Sequence, residues 1–190
     1  MSKILKTSKS KTRLPGDPNW SQETERMIRV DHAGEYGAVR IYEGQLSVLG
    51  KSASAPAIEH MAEQERRHLD AFDKLVPERR VRPTALLPLW HAAGFALGAG
   101  TALMGEKAAM ACTVAVEEVI DEHYAAQIAK LDAEGADGDL RDTLETFRRE
   151  EVEHKEMAIE HGAQDAPGYE VLTGAVKVGS RLAIWLSTRI

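Results

Sequence analysis

One stretch near the carboxyl-terminal end of the chain reads Arg149-Glu150-Glu151-Val152-Glu153-His154-Lys155-Glu156-Met157. In an α-helix, residues three positions apart lie on one face, so Glu151 and His154 can offer a carboxylate and an imidazole to one point. A second Glu-x-x-His pair occurs at Glu65 and His68. Two such pairs predict two helices that carry parts of a common site.

A single glutamate in helical sequence precedes each pair. Glu35 lies 30 residues before Glu65, and Glu117 lies 34 residues before Glu151. This order is typical of carboxylate-bridged bundles, in which four helices project these groups inward around two metal ions. Two Glu-x-x-His pairs in an acidic chain also arise as ordinary surface contacts, and the order of the four elements favours the metal interpretation over that alternative.

The composition restricts the class of protein. A chain of 190 residues suits one domain with its own core, and a net charge of −6 argues against a nucleic-acid partner, which requires a basic face. Cys112 is the only cysteine, so no internal disulfide forms. Gly98-Ala99-Gly100 lies in an apolar helix-like run rather than after a strand, so the chain has no nucleotide-binding glycine loop.

The amino-terminal residues 1–20 predict a disordered basic tail, and residues 21–190 predict a single domain. Residues 1–13 are basic, contain no acidic residue and lack the apolar run of a secretory signal. A short mitochondrial presequence has a similar composition, but no arginine precedes Arg13. The tail is therefore favoured over the presequence.

The domain should be all-α. The seven prolines fall where helices are expected to begin or end, and alternating β-branched runs are few. Ser21 is the predicted N-cap of the first helix, without a complete capping box, and Gly50 ends that helix. The other predicted helices run over about 56–75, from 106 to Gly135, over about 139–161 and from about 169 onward.

Two glycines flank the first glutamate of the pattern. Gly34 and Gly37 lie inside a predicted helix, where each glycine costs about 1 kcal/mol relative to alanine. They indicate either the close approach of another helix or ligand beside Glu35, or a locally loosened helix.

An uncharged segment separates the two halves of the pattern. Residues 83–105 are long enough to cross a bilayer, but many are alanine or glycine. A single crossing would also leave the two half-sites on opposite sides of a membrane. The segment is therefore predicted to be a buried or membrane-contacting helix that carries the chain back along the bundle.

The last predicted helix is basic and amphipathic. It sets Leu182 and Trp185 against Lys177, Arg181 and Arg189. Such a helix is typical of binding to anionic lipid, although a terminal helix packed on the bundle has the same pattern. The uncharged segment before it favours the membrane surface.

Three strings resemble the demethoxyubiquinone hydroxylase family, the di-iron monooxygenases of ubiquinone biosynthesis. They read Val-Asp-His-Ala-Gly-Glu-Tyr-Gly-Ala at 30–38, Ala-Cys-Thr-Val-Ala-Val-Glu-Glu at 111–118 and Glu-Glu-Val-Glu-His at 150–154. The resemblance extends from about residue 25 to residue 178. It implies a ferritin-like four-helix bundle with an added apolar crossover helix and a carboxyl-terminal amphipathic helix.

The resemblance also implies a ligand set and a reaction. Glu35, Glu65 and His68 would bind one iron and Glu117, Glu151 and His154 the other, with Glu65 and Glu151 able to bridge. The enzyme would use O₂ and an external reductant, expected to be NADH, to hydroxylate the ring of a polyprenyl quinol. His123 and Tyr124 match family positions near the metals, although six residues after Glu117 His123 sits about 120° around the helix and is not expected to be a ligand.

The implied location is the membrane surface that holds the substrate. In a bacterium this is the cytoplasmic face of the cell membrane, and in a eukaryote the matrix side of the inner mitochondrial membrane. The prenyl chain length, assembly into a homo-oligomer and assembly with other proteins of quinone biosynthesis stay open.

Charge and ligand chemistry fit the implied metals. Four carboxylates balance two Fe(II) ions when the two imidazoles are neutral, whereas the same carboxylates without metal would repel one another in the core. Oxygen-rich ligation without thiolate suits iron or manganese, and only the resemblance separates the two.

Two other functions are compatible with the same residues. A soluble ferroxidase or a manganese-catalase-like bundle would share the ligands but would not need the apolar segment or the basic last helix. A non-catalytic quinone- or lipid-binding scaffold would bind no metal.

Overall fold

The computed structural model describes residues 19–190 and shows an all-α protein. Its helices are α1 (Trp20–Leu49), α2 (Ala55–Glu78), α3 (Leu87–Leu103), α4 (Glu106–Glu134), α5 (Gly138–Glu160) and α6 (Tyr169–Ser187), with a short 3₁₀ turn at Ala163–Asp165. No strand occurs within residues 19–190. The all-α, ferritin-like prediction is confirmed, while the predicted tail falls largely on residues 1–18, outside the described residues.

The first helix begins two residues earlier than predicted, and the prediction of Ser21 as N-cap was wrong. Asn19 is the N-cap, its side chain accepts a hydrogen bond from the Gln22 amide, and the Gln22 side chain accepts one from the Asn19 amide. These reciprocal bonds form a complete capping box. Asn19 binds the free amide of Gln22, three residues along, and a cap at Ser21 is not needed.

The second helix runs past its predicted end. Pro77 lies in the last turn of α2, which continues to Glu78, so the expectation that every proline marks a helix boundary was wrong there. A proline removes only one backbone hydrogen bond, and close to a helix end the following residues still bond back to earlier carbonyls. The Arg79 amide does so to Leu75.

The helices pack as two matching units. In the first, α1 and α2 form a hairpin and α3 packs along α1; in the second, α4 and α5 form a hairpin and α6 packs along α4. Buried apolar side chains form two clusters, represented by Ile28, Phe72 and Leu144 in one and by Ile58 and Met110 in the other. On α1, α2 and α5, the predicted ligands lie between the residues of one cluster and those of the other. On α4, the two clusters adjoin, and Glu117 lies where they meet.

Glycines allow α1 and α3 to touch backbone to backbone. A Cβ atom added at Gly98 would lie 1.9 Å from the Ile41 carbonyl oxygen, and one added at Gly44 would lie 2.3 Å from that of Phe95. Gly34 and Gly37 serve a different purpose, since an added Cβ at either meets nothing within 4 Å. The side-chain positions of both glycines therefore face open space, although the Gly37 carbonyl oxygen lies against Gly94 of α3, 2.9 Å from a Cβ added there.

Two basic residues of the last helix pair with acidic residues of α4. Lys177 forms an ion pair with Glu118 of α4, and Arg181 forms one with Glu122 at 2.9 Å. The large apolar side chains that α6 leaves exposed are those of Val171, Val178, Leu182 and Trp185. Within residues 19–190, the helices are too short or too polar to span a bilayer.

Candidate metal centre

The six predicted ligands meet in the middle of the bundle. Glu35 comes from α1, Glu65 and His68 from α2, Glu117 from α4, and Glu151 and His154 from α5. Each is at most 2% exposed. The ligand atoms form two groups, each within 4.8 Å: Glu35, Glu65, His68 and Glu151; and Glu65, Glu117, Glu151 and His154.

Two carboxylates belong to both groups. Nδ1 of His68 lies 3.2 Å from Oε1 of Glu151 and 3.9 Å from Oε2 of Glu65. Nδ1 of His154 lies 3.2 Å from Oε2 of Glu151 and 3.1 Å from Oε1 of Glu65. Each of these carboxylates thus directs one oxygen toward each imidazole, which is the geometry that a bridging ligand requires.

Buried polar atoms without a hydrogen-bond partner indicate whether a metal fits the site. Eight buried atoms of these six side chains lack hydrogen-bond partners, including both oxygens of Glu65 and Glu151 and Nδ1 of both histidines. Buried carboxylates without partners are costly, and they normally coordinate metal or carry protons. Since the unpartnered atoms converge on two points, the donor set fits two divalent cations.

Each imidazole has a partner behind it. Nε2 of His68 lies 2.5 Å from a carboxylate oxygen of Glu150, and Nε2 of His154 lies 2.9 Å from the amide oxygen of Gln64. With Nε2–H donated outward, Nδ1 is left as the nitrogen that faces the centre. Such outer partners fix the tautomer and the ring orientation of a ligating histidine.

Two tyrosines hold the two single glutamates. Tyr42 of α1 donates its hydroxyl to Oε1 of Glu117 at 2.7 Å, and Tyr124 of α4 donates to Oε1 of Glu35. Both tyrosines are 1% exposed. Each therefore occupies one carboxylate oxygen and leaves Oε2 of the same glutamate free toward the centre.

A third polar cluster lies beside Glu35. Nε2 of His123 lies 3.0 Å from Oδ1 of the buried Asp31, and the Gln127 side-chain amide donates to the same oxygen at 2.8 Å. The His123 side chain is 21% exposed and belongs to neither ligand group. The structure thus places His123 next to the centre, at its edge.

Without metal, the buried charges shift one another strongly. Burial raises the pKa of Glu65 and of Glu117 well above the usual range, and neighbouring Glu151 adds to this. Burial alone would lower the pKa of both imidazoles. The surrounding carboxylates outweigh this effect and raise the pKa of His68 to about 12 and that of His154 to about 11. Burial likewise opposes ionisation of Glu151, but the two imidazoles lower its pKa to about 2.

The centre has an internal repeat. Asp31, Glu35, Tyr42 and Gln45 of α1 correspond to Thr113, Glu117, Tyr124 and Gln127 of α4, at a constant spacing of 82 residues. Gln64, Glu65 and His68 of α2 correspond to Glu150, Glu151 and His154 of α5, at a constant spacing of 86. Each half therefore supplies the same ligands and the same tyrosine to an approximately symmetric site.

An apolar cavity of about 370 Å³ adjoins the centre. Gly34, Gly37 and Ile41 of α1, Trp90 of α3 and Val116 of α4 are among the residues that line it, and α6 closes it with small residues such as Gly179, Ser180 and Ala183. Gly34 and Val116 directly precede Glu35 and Glu117. The cavity thus reaches the two helix segments that carry the single glutamates.

The sequence interpretation missed the outer partners. Tyr42, Gln64 and Glu150 each contact a ligand that belongs to another helix. Tyr42 had a detectable signal, because it follows Glu35 by seven residues, as Tyr124 follows Glu117. Gln64 and Glu150 precede the Glu-x-x-His glutamates directly, and comparison of the two motifs would have found them.

Several known proteins are similar to this chain over most of its length. A 3-demethoxyubiquinol 3-hydroxylase of Rhodospirillum rubrum is 56% identical, covering 98% of this chain and 89% of that protein. The Homo sapiens NADPH-dependent 3-demethoxyubiquinone 3-hydroxylase, mitochondrial, is 52% identical over 87% of this chain and 77% of its own length. A Saccharomyces cerevisiae 5-demethoxyubiquinone hydroxylase, mitochondrial, is 44% identical over 87% and 78%.

The family comparison covers nearly all of the described residues. The family model described as ubiquinone biosynthesis protein COQ7 matches residues 22–187, from the first turn of α1 to the last residue of α6. All six converging ligands and both tyrosines fall inside this match. The chain belongs to the COQ7 family of ubiquinone biosynthesis proteins.

Proposed function

We propose that the chain is a membrane-associated di-iron monooxygenase that hydroxylates the ring of demethoxyubiquinol in ubiquinone biosynthesis. The observation that carries the proposal is the convergence of eight unpartnered ligand atoms from four helices. The names of the relatives supply the reaction and the substrate.

The donor set suits iron. Glu35, Glu65 and His68 would hold one ion and Glu117, Glu151 and His154 the other, with Glu65 and Glu151 shared. Four carboxylates and two imidazoles without thiolate favour iron or manganese over zinc. When bound, a pair of iron ions supplies the reduction of O₂ and the transfer of one oxygen atom to the quinol ring, while the other leaves as water.

The apolar cavity is the proposed site of the quinol ring. Its lining is almost entirely apolar and includes Gly34, Gly37 and Val116, so it can exclude water from a flat ring beside Glu35 and Glu117. The absence of side chains at Gly34 and Gly37 leaves room for the ring at the closest point to the glutamates. Trp90 closes one edge by donating to the Ser187 hydroxyl at 3.0 Å.

The remaining residues orient and insulate the centre. Tyr42 and Tyr124 each fix one oxygen of a single glutamate, so that its other oxygen stays aimed at the metals. Gln64 and Glu150 hold the imidazoles with Nδ1 inward. His123 and Asp31 connect the edge of the centre to the surface, and we propose them, with Tyr124, as groups that support the reaction without binding metal.

The reductant and the membrane surface complete the proposal. The human relative's name specifies NADPH, and the family resemblance implies NADH, so we propose a reduced nicotinamide nucleotide as the external electron source. The exposed apolar side chains of α6, with Leu89 and Leu103 of α3, offer a surface that can insert into lipid. A polyprenyl substrate would enter from that side.

The decisive experiment is a single turnover with labelled oxygen. The purified chain is loaded with Fe(II), reduced without oxygen, and mixed with demethoxyubiquinol and ¹⁸O₂. We expect one ¹⁸O atom in the hydroxylated product by mass spectrometry, and little product from Glu151→Ala. Oxidation of iron without product would instead support a ferroxidase, and a chain without metal would support a binding scaffold.

A further inference from the structure

The two halves of the centre differ where the imidazoles meet their outer partners. The partner of His68 is the carboxylate of Glu150 at 2.5 Å, whereas the partner of His154 is the neutral amide of Gln64 at 2.9 Å. Gln64 and Glu150 occupy corresponding positions of the repeat, directly before a bridging glutamate. An otherwise symmetric set of ligands is therefore held by asymmetric partners.

The charge of the acceptor changes the imidazole as a ligand. A hydrogen bond to a carboxylate is shorter and stronger than one to an amide. It also draws the Nε2 proton outward and raises the electron density at Nδ1, so the histidine becomes a stronger donor. His68 should therefore bind a cation more tightly than His154.

A second difference falls in the same half. Asp31, which lies four residues before Glu35, corresponds to Thr113, which lies four residues before Glu117. Gln127 donates a hydrogen bond to the Asp31 carboxylate at 2.8 Å, and Gln45 donates one to the Thr113 hydroxyl at 3.3 Å. The two glutamines thus make corresponding contacts, but one partner is an acid and the other is a hydroxyl. The buried Asp31 also lies 3.0 Å from Nε2 of His123.

We infer that the two metal positions are inequivalent and that the position formed by Glu35, Glu65 and His68 binds its ion more tightly, because Glu150 lies behind His68. This rests on the proposed metal centre. Glu150 is accordingly a positioning residue that acts through His68 and sets the order in which the two positions fill.

Half-site variants of the full chain test the order of filling. Fe(II) is titrated without oxygen into His154→Ala, which leaves the Glu35–Glu65–His68 position, and into His68→Ala, which leaves the other. We expect His154→Ala to bind one iron more tightly than His68→Ala does. Adding Glu150→Gln should then weaken binding about tenfold in the His154→Ala protein and leave the His68→Ala protein unchanged.

Glu153→Gln is the matched control. Glu153 lies on α5 and is exposed, so the variant removes the same charge without touching either imidazole. It should leave both affinities unchanged. Equal losses from Glu150→Gln and Glu153→Gln, or an equal effect of Glu150→Gln in both half-site proteins, would show a diffuse charge effect and overturn the inference.

Mössbauer spectra test the same point without half-site variants. With one equivalent of ⁵⁷Fe(II), the unaltered chain should show mainly one quadrupole doublet, and Glu150→Gln should show two. Two doublets of equal weight in the unaltered chain would contradict the inference. Ordered filling without quinol hydroxylation would support the inference and reject the proposed substrate, whereas absence of iron binding would reject the metal centre itself.

Discussion

At the scale of single residues, Glu151 faces both imidazoles of the centre at close range. Its two oxygens lie 3.2 Å from Nδ1 of His68 and of His154, so it connects the two ligand groups. Loss of a ligand that belongs to one group should weaken one metal position, whereas loss of a ligand shared by both groups should weaken both positions.

We expect Glu151→Ala to remove most of both irons while the helices persist. The side chain is fully buried and faces both imidazoles, so its deletion should lower the stability of the metal-free chain. The two apolar clusters that hold the helices together do not include Glu151, so the helices should persist. Metal analysis and far-ultraviolet circular dichroism measure the two effects. Glu153→Ala, on the exposed side of α5, should retain about two irons per chain; full occupancy in Glu151→Ala would contradict the ligand assignment.

Cys112 provides a second test at this scale. The thiol is buried in the core beside Thr101, and burial raises its pKa to about 12. Because the thiolate is the reactive form, the native protein should resist iodoacetamide at pH 8 for hours, whereas the urea-unfolded protein should react within minutes. Mass spectrometry counts the alkylated fraction. Rapid alkylation of the native protein would mean that α4 is not packed in the core as described.

Helical periodicity explains why the ligand pattern was readable from sequence. Glu65 and His68 share a face on any α-helix, and so do Glu151 and His154, whatever the tertiary structure. Contacts between helices have no such local signature. The pairing of Tyr42 with Glu117 joins residues 75 positions apart, and only the three-dimensional arrangement brings them together.

At the scale of elements, α1 and α3 form the closest helix pair. We expect Gly98→Ala to destabilise the protein by roughly 1–3 kcal/mol or more, because the new methyl would meet the Ile41 backbone and force the helices apart. Gly100→Ala is the control: no atom lies within 4 Å of its added Cβ, and alanine should stabilise α3 slightly. Urea denaturation measures both. Equal unfolding free energies for the two variants would contradict the close packing.

The orientation of α6 illustrates what periodicity leaves undetermined. The pattern separates an apolar face from a basic face but does not say which face meets the bundle. Glu118 and Glu122 of α4 decide this by pairing with Lys177 and Arg181, so that large apolar side chains remain on the outside. Both basic residues are thus engaged by acids of the protein, so the exposed apolar side chains carry more of the argument for a lipid contact, which stays a prediction.

We expect Leu182→Asp to weaken binding to phospholipid vesicles at least tenfold. Leu182 is 54% exposed on α6, and a charge there must be dehydrated to enter the lipid. Ala133→Asp, at an exposed position of α4, adds the same charge elsewhere and should have no effect. Vesicle sedimentation measures the bound fraction. Equal sedimentation of both variants would exclude this face of α6 as the lipid contact.

At the scale of the whole molecule, the repeat combines fold and site. Each unit of two long helices and one shorter helix supplies a Glu, a Glu-x-x-His pair and a tyrosine. Each of the two shared glutamates, Glu65 and Glu151, faces an imidazole of the other unit as well as that of its own. The two candidate ligand groups therefore form only when the two units associate.

This coupling makes the stability of the metal-free chain depend on pH. The pKa values of His68 and His154 are raised to about 12 and about 11 in the folded chain, from about 6.5 in the unfolded chain. Their contribution to the free energy of unfolding is therefore full below about pH 6.5 and is lost as the pH rises toward the folded pKa values. The pKa values of Glu65 and Glu117 are also raised, so these groups likewise lower the free energy of unfolding as the pH rises. Glu151, with its pKa lowered to about 2, contributes above its unfolded value near 4.5 and loses that contribution only in acid.

The metal-free chain should therefore lose on the order of 3 kcal/mol of unfolding free energy between pH 6.5 and pH 9, at about 1.4 kcal/mol per pKa unit for partly coupled groups. Fe(II) replaces the bound protons, so the loaded chain should be more stable throughout and nearly independent of pH over this interval. Urea titrations without oxygen, with and without Fe(II), measure both curves. A metal-free chain equally stable at the two pH values would contradict the convergence of the buried carboxylates and imidazoles, because only their mutual contact holds the extra protons.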